Sequence, residues 1–217
     1  MAVEKRKSIF SDLRGPVGPV VCSSWKGIPV VKSRPVINKD AKKSKGQVKQ
    51  RGRFKAIQQF LKGAAAAIKN GYQLRKNEKM TALNAATSYH LLNAVKGSAT
   101  DIQVELSKVK FSRPLQPTEE GYHTKLIYHE DGMLEFKWEL NPLPAKSTQL
   151  NDKAWFIVYC SNRRKYCLHN GALRSDLGGI IPRTEFITGQ ELFCYMFFVS
   201  ADGKRVSETT YLGMVKT

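Results

Sequence analysis

Two stretches, AWFIVYC at 154–160 and LFCYMFFV at 192–199, are apolar at nearly every position and rich in β-branched and aromatic residues. Runs of this length, each followed by a turn signal (SNRR at 161–164, SADGK at 200–204), read as buried strands rather than helices. Working outward, the hydrophobic period is two wherever it can be read from Asp101 onward. Further candidate strands are IQVELSKVKF (102–111), KLIYH (125–129), LEFKWEL (134–140), KYCLH (165–169), a short pair around Ile180, and VSETTYLG (206–213). Turns such as EDG and DLGG separate them. Seven or eight short strands with such punctuation predict an antiparallel β-sandwich. Trp138, Trp155, Tyr159, Phe193, Tyr195 and Phe197 are expected to fill its core, the usual place of aromatic side chains in strands.

Upstream the period changes. Phe54, Ile57, Leu61, Ala64, Ile68 and Tyr72 recur at steps of 3 and 4, with Lys55, Lys62 and Lys69 opposite, which predicts an amphipathic helix. Gly63 followed by four alanines suggests that another backbone comes close there. A second helix, ALNAATSYHLLNAV, follows Thr81, a suitable N-cap, and Gly97 is expected to end it. The two helices would form an αα-hairpin. Further upstream, PVVCSS and IPVVKS flank Trp25-Lys26-Gly27 and read as a β-hairpin or ribbon. Prolines at 16, 19, 29 and 35 exclude a central strand. If alternation holds from Ile28 onward, Lys26, Lys32 and Arg34 share one side. The expected fold is therefore α+β. Residues 1–100 form a basic ribbon plus helical hairpin, and residues 101–217 an antiparallel β-sandwich.

Charge divides the chain in two. Residues 1–80 carry 20 Lys and Arg against 4 Asp and Glu, a balance of +16 out of the total of +18, whereas residues 81–217 are close to neutral. Segregated positive charge raises the expectation of a polyanionic partner for the N-terminal third, since dispersed charge would serve solubility alone. The remaining composition, 41% apolar and 25% charged, is that of an ordinary globular protein. No apolar window is long enough for a spanning helix, and the charged start lacks an apolar export segment. The expected location is the cytoplasm, with no membrane partner.

Catalytic signatures are missing. There is no Gly-x-Ser-x-Gly, no paired Cys and His, and no phosphate-cradling Gly-rich loop; the prolines of GPVGP remove the N–H groups such a cradle uses. Histidines at 90, 123, 129 and 169 lack metal-ligand spacing, and His90 reads as a packed or surface residue. Cysteines at 22, 160, 167 and 194 read as reduced thiols, with Cys160 and Cys194 as small hydrophobes inside apolar runs. The expectation is a protein that is not an enzyme and uses no cofactor or metal.

What remains is the basic segment. Lys26, Lys32, Arg34, Lys39, Lys42, Lys43, Lys45, Lys49, Arg51, Arg53 and Lys55 fall within thirty residues, with Asp40 as the single acid. Such groups neutralise phosphates and release counterions without reading sequence. The expected site comprises Lys26, Lys32, Arg34, Lys39, Lys42, Lys43, Lys45, Lys49, Arg51, Arg53 and Trp25. Trp25 reads as an anchor that gives a marginal ribbon apolar area, with stacking on an exposed base as the alternative. The partner is DNA or RNA, contacted through its backbone. The competing reading is a structural or assembly component, of a phage particle or a bacterial complex, whose basic arm and sandwich meet acidic protein neighbours.

The tetrapeptide Ser24-Trp25-Lys26-Gly27, the Asn84-Ala85-Ala86 step and the closing FVSADGK at 198–204 carry a resemblance to a family of basic Bacteroidota proteins of about this length whose function is unknown. The resemblance runs nearly end to end. It implies a shared fold and a bacterial or bacteriophage setting, with no activity attached. The C-terminal part separately resembles fibronectin type III and immunoglobulin-like sandwiches, whose last strand often follows an Asp-Gly turn, here Asp202-Gly203. A fold of that kind hosts many functions.

Overall fold

The computed structural model describes residues 2–3, 13–25, 27–36, 42–73, 80–98, 101–182 and 189–217. In chain order the elements are β1 (Ala2–Val3), β2 (Gly15–Val17), β3 (Val20–Trp25), β4 (Ile28–Ser33), α1 (Lys45–Lys62), α2 (Ala65–Gly71), α3 (Ala82–Asn93), β5 (Val95–Ser98), β6 (Asp101–Val104), β7 (Tyr122–Tyr128), β8 (Leu134–Glu139), β9 (Lys153–Cys160), β10 (Lys165–Leu173), β11 (Gly178–Ile181), β12 (Glu191–Val199) and β13 (Thr210–Lys216). The chain divides into two compact units, Met1–Ser44 and Lys45–Thr217. The division falls at the basic linker and not at residue 100, because the helices share a core with the strands that follow them.

The first unit is a four-stranded antiparallel sheet in the order β1-β4-β3-β2, where a ribbon of two strands was expected, and β4 is an inner strand although it contains Pro29, because β1 pairs only at Val30 and Val31. Trp25 pairs with Ile28, and between them Gly27 has φ +77, a conformation that suits glycine. The register places Trp25, Val30 and Lys32 on one face and Cys22, Val31 and Ser33 on the other.

In the second unit, β10-β9-β12-β13 form one antiparallel sheet and β11-β8-β7 another. They pack face to face around Leu134, Phe136, Trp138, Phe156, Val158, Ile181, Leu192, Cys194, Met196 and Phe198. This four-on-three arrangement is the expected sandwich, and the protein is α+β. The outer face of the larger sheet is covered too. Ile157, Tyr159, Tyr195 and Phe197 pack against Ile57, Phe60, Leu61, Ala64, Ile68 and Ala86 of the helical layer. Strands β9 and β12 are therefore buried on both sides, which explains why they read as continuous apolar runs without alternation.

Of the aromatics expected inside the sandwich, only Trp138 is there. Trp155, Tyr159, Phe193, Tyr195 and Phe197 occupy the alternate register and face the helices. Burial on both faces is worth roughly 25 cal/mol per Å² of apolar surface on each side, so β9 and β12 are the most heavily buried strands of the fold.

Several local expectations change. The run 102–111 is not one strand. After β6 the chain makes a 3-10 turn at Leu106–Lys108, and Tyr195 Oη donates to Leu106 O (2.8 Å). Helix α3 ends at Asn93, ahead of Gly97, because Val95–Ser98 turns into a hairpin with Asp101–Val104. Thr81 caps α3 as expected, its Oγ1 accepting from Asn84 N–H (3.1 Å). At Gly63, between α1 and α2, a side chain comes close where a backbone was expected, since a Cβ would overlap the Tyr166 ring. The backbone approach is instead at Gly71, against Phe111 O. Phe54 lies off the buried stripe and is 49% exposed.

The sandwich is locked by a buried ion pair. Arg174 Nε–H donates to Asp152 Oδ2 (3.3 Å), its Nη groups donate to Glu119 O (2.7 Å) and Glu120 O (3.2 Å), and its guanidinium lies 3.8 Å from the Phe198 ring centre. Thr118 Oγ1 also donates to Asp152 Oδ2 (2.9 Å). His90 is fully buried. Its Nε2 accepts from Lys110 N–H (3.2 Å), which leaves Nδ1–H to donate to Ala86 O (2.7 Å), and burial holds the imidazole below its ordinary pKa. It is thus a packed residue of the helical layer. None of the four cysteines is in a disulfide and all are buried, and burial pushes the Cys194 thiol up to about 12.

Candidate nucleic-acid interface

From Ala41 to Asn77 the chain holds no Asp or Glu, so α1 and α2 are built from cations, amides and apolar residues alone. Helix α1 carries Lys45, Lys49, Arg51, Arg53, Lys55 and Lys62, with no acid in its first turn. Lys45 at the positive end of the helix dipole, and like charges four apart in Lys45/Lys49 and Arg51/Lys55, each weaken an isolated helix by a few tenths of a kcal/mol. The apolar stripe Ile57, Phe60 and Leu61 offsets that cost by packing on the sheet. Residues 42–51 are exposed on all sides, so the first turns of α1 extend past the packed stripe with their cations in solvent.

The predicted residues behave differently from one another. Lys42, Lys43, Lys45, Lys49 and Arg51 are exposed. Every ion pair among the described residues lies at residue 96 or beyond, so these cations are not neutralised by internal carboxylates there. Arg53 serves the fold. Its Nη2 donates to Leu91 O (2.8 Å) and Val95 O (3.1 Å), satisfying carbonyls at the C-terminal end of α3. Its position four residues before Ile57, on the stripe that packs inward, is the sequence signal for that role.

In the first unit, Lys32 is exposed on the Trp25 face of β4, and Arg34 follows that strand with its N–H on Pro19 O (2.8 Å). Trp25 is 48% exposed. Lys26 and Lys39 lie outside the described residues. The structure thus joins Lys45, Lys49, Arg51 and Lys55 on one helix, and Trp25 of β3 with Lys32 of β4 on one face of the first sheet.

The match to a family model spans residues 12–213, and the family's description is "Family of unknown function (DUF6266)". The chain belongs to that family. The match takes in residues of both compact units. No curated protein matches the chain. Among solved structures it is similar to the fn3 domain of the human collagen alpha-1(XX) chain, at 10% identity and a TM-score of 0.36, over 46% of this chain and 86% of that one.

Among the described residues no helix is long and apolar enough to cross a membrane, and no three His, Cys, Asp or Glu side chains are grouped to hold a metal ion.

Proposed function

We propose that this protein is a non-enzymatic nucleic-acid binder that grips the phosphate backbone of DNA or RNA through the cations of its N-terminal third. The observation that carries the reading is the exposed start of α1: Lys45, Lys49 and Arg51, preceded by Lys42 and Lys43, project from a helix that lacks acids. A bound polyanion would relieve the like-charge repulsion along that helix and satisfy the positive end of its dipole. Binding of this kind tracks the backbone and is indifferent to sequence. The setting that fits is the cytoplasm or the interior of a phage particle.

The test is the salt dependence of affinity for a labelled oligonucleotide. The reading requires a linear fall of log affinity with log salt, and an unchanged affinity between about 50 and 300 mM salt overturns it. A second measurement is the 260 nm absorbance of the protein purified without nuclease. An excess removed by nuclease supports the reading.

An assembly role is the second reading. It is favoured by β13, an end strand of the larger sheet, whose outer edge would accept a partner strand. Protein partners held at fixed stoichiometry after nuclease treatment would replace the first reading with this one.

A further inference from the structure

On one flank of α1 lies a cleft of about 630 Å³, walled by α1, by the β5–β6 hairpin with the turn after it, and by the adjoining ends of β9 and β12. Its wall is aromatic and aliphatic: Phe60, Tyr159, Phe193, Ile102, Val104 and Leu106. Its polar groups are the amides of Gln59 and Gln103, the Ser161 hydroxyl, Glu191 and Arg164. Phe60 and Tyr159 meet edge to face, with centroids 5.0 Å apart and planes at 69°. Phe193 is only partly buried against the helical core.

Arg164 closes the four-residue Ser161–Arg164 loop between β9 and β10 with φ +53, a backbone conformation that glycine or asparagine would adopt at lower cost. An arginine held there brings a cation to the cleft, close enough to Tyr159 to draw its hydroxyl partly back from the rise that burial imposes.

The cleft is continuous with the basic helix. Lys45, Lys49, Gly52, Ala56 and Gln59 recur at steps of 4, 3, 4 and 3 and so stand on one side of α1, and Ala56 and Gln59 line the cleft. Lys49 stands about 10 Å further up the axis than Ala56, at 1.5 Å per residue. The arrangement is thus a cationic track that leads into an aromatic-walled recess with amide and carboxylate groups at its rim. Single-stranded nucleic acid is bound in this way. The backbone follows positive charge, and an unstacked base packs against an aromatic side chain with its edge on amide or carboxylate groups. A duplex keeps its bases stacked and has none to offer. A purely aliphatic ligand would leave Gln59 and Arg164 unmatched, whereas Gln103 Nε2 donates to Asp101 Oδ1 (3.0 Å) and Glu191 Oε2 accepts from Ser161 Oγ (3.4 Å) within the protein.

We propose that this cleft receives an unstacked base of a single-stranded nucleic acid whose backbone runs along Lys45 and Lys49. The proposal rests on the phosphate-backbone reading above and adds to it the strandedness of the partner and a place for the base.

The test compares three labelled probes of equal length by fluorescence anisotropy at one salt concentration: a base-bearing single strand, an abasic sugar-phosphate strand and a duplex. The full-length protein is expected to bind the base-bearing strand roughly 5- to 150-fold more tightly than the abasic one, the range of a single base–aromatic stack. Phe193→Ala is expected to remove that difference and leave abasic affinity unchanged. Should Phe193→Ala fail to fold, Ala56→Phe fills the cleft from the helix side, clear of the buried stripe, and is expected to act in the same way. Equal affinity of the unaltered protein for the base-bearing and abasic strands overturns the cleft proposal and leaves backbone binding standing. Failure to bind any of the three probes overturns both. Retention of the base preference in Ala56→Phe overturns the cleft proposal alone.

Discussion

Replacing Lys45, Lys49 and Arg51 together by glutamine separates cations that await a partner from the one that serves the fold. All three are exposed, and none is in an ion pair among the described residues, so their loss leaves the core untouched. If each neutralises one phosphate of a duplex, the slope of log affinity against log salt becomes shallower by about 0.9 per residue, or about 2.7 in total, and by about 2.1 on a single strand. At about 0.1 M salt, with 1 M as the reference, each contact is worth roughly 8-fold, so the triple variant should bind a duplex up to about 500-fold more weakly. The expected change in melting temperature is near zero or slightly upward, since three like-charge pairs four apart, Lys45/Lys49, Lys49/Arg53 and Arg51/Lys55, are relieved.

Arg53→Gln is the matched control. It too removes one positive charge from α1, but its guanidinium holds Leu91 O and Val95 O. Loss of these charge-assisted bonds costs about 1.5–3 kcal/mol. For a chain of this size that lowers the melting temperature by roughly 3–12 °C. The salt slope should barely move. Oligonucleotide titrations at four or five salt concentrations, paired with thermal melts, read both quantities. An unchanged slope in the triple variant would refute the backbone-binding argument. A lowered slope with unchanged melting in Arg53→Gln would refute the structural role assigned to Arg53.

Three further outcomes follow from the packing. Because burial holds His90 below its ordinary value of 6.5, the unfolded chain takes up a proton that the folded one refuses, so stability is complete above about 6.5 and declines as pH falls toward the folded value. Thermal melts from about pH 7.5 to 5 should show that decline, and His90→Gln should flatten it. Arg174→Met strands Asp152 without its cation and should cost about 3–5 kcal/mol in denaturant unfolding, whereas pairing it with Asp152→Leu should recover much of the loss. Gly63→Ala, a gain in helix propensity by itself, should instead destabilise, because its methyl meets the Tyr166 ring; Tyr166→Ala in the same chain should reverse the sign of the Gly63→Ala effect.

Local chemistry made much of the architecture legible. Trp25-Lys26-Gly27 between two β-branched runs marked a hairpin, Thr81 marked a helix start, and the 3-4 spacing from Ile57 to Tyr72 marked the buried side of the helices. Strand alternation in β9 and β12 could not reveal which residues face which neighbour, because a strand covered on both sides has no polar face to orient it.

By itself the sequence determined the segregation of charge, the class of most elements and the acid-free run that makes α1 cationic, since these depend on residue order within a turn or a strand. Tertiary structure alone decided that Tyr159, Tyr195 and Phe197 meet the helices, that Arg53 is bound to α3 while Lys49 is exposed, and that Gln59, Gln103, Arg164 and Phe193 line one cleft. Residues separated by up to 134 positions leave no mark of their proximity in local spacing; only the packing of a helix onto a sheet brings them together.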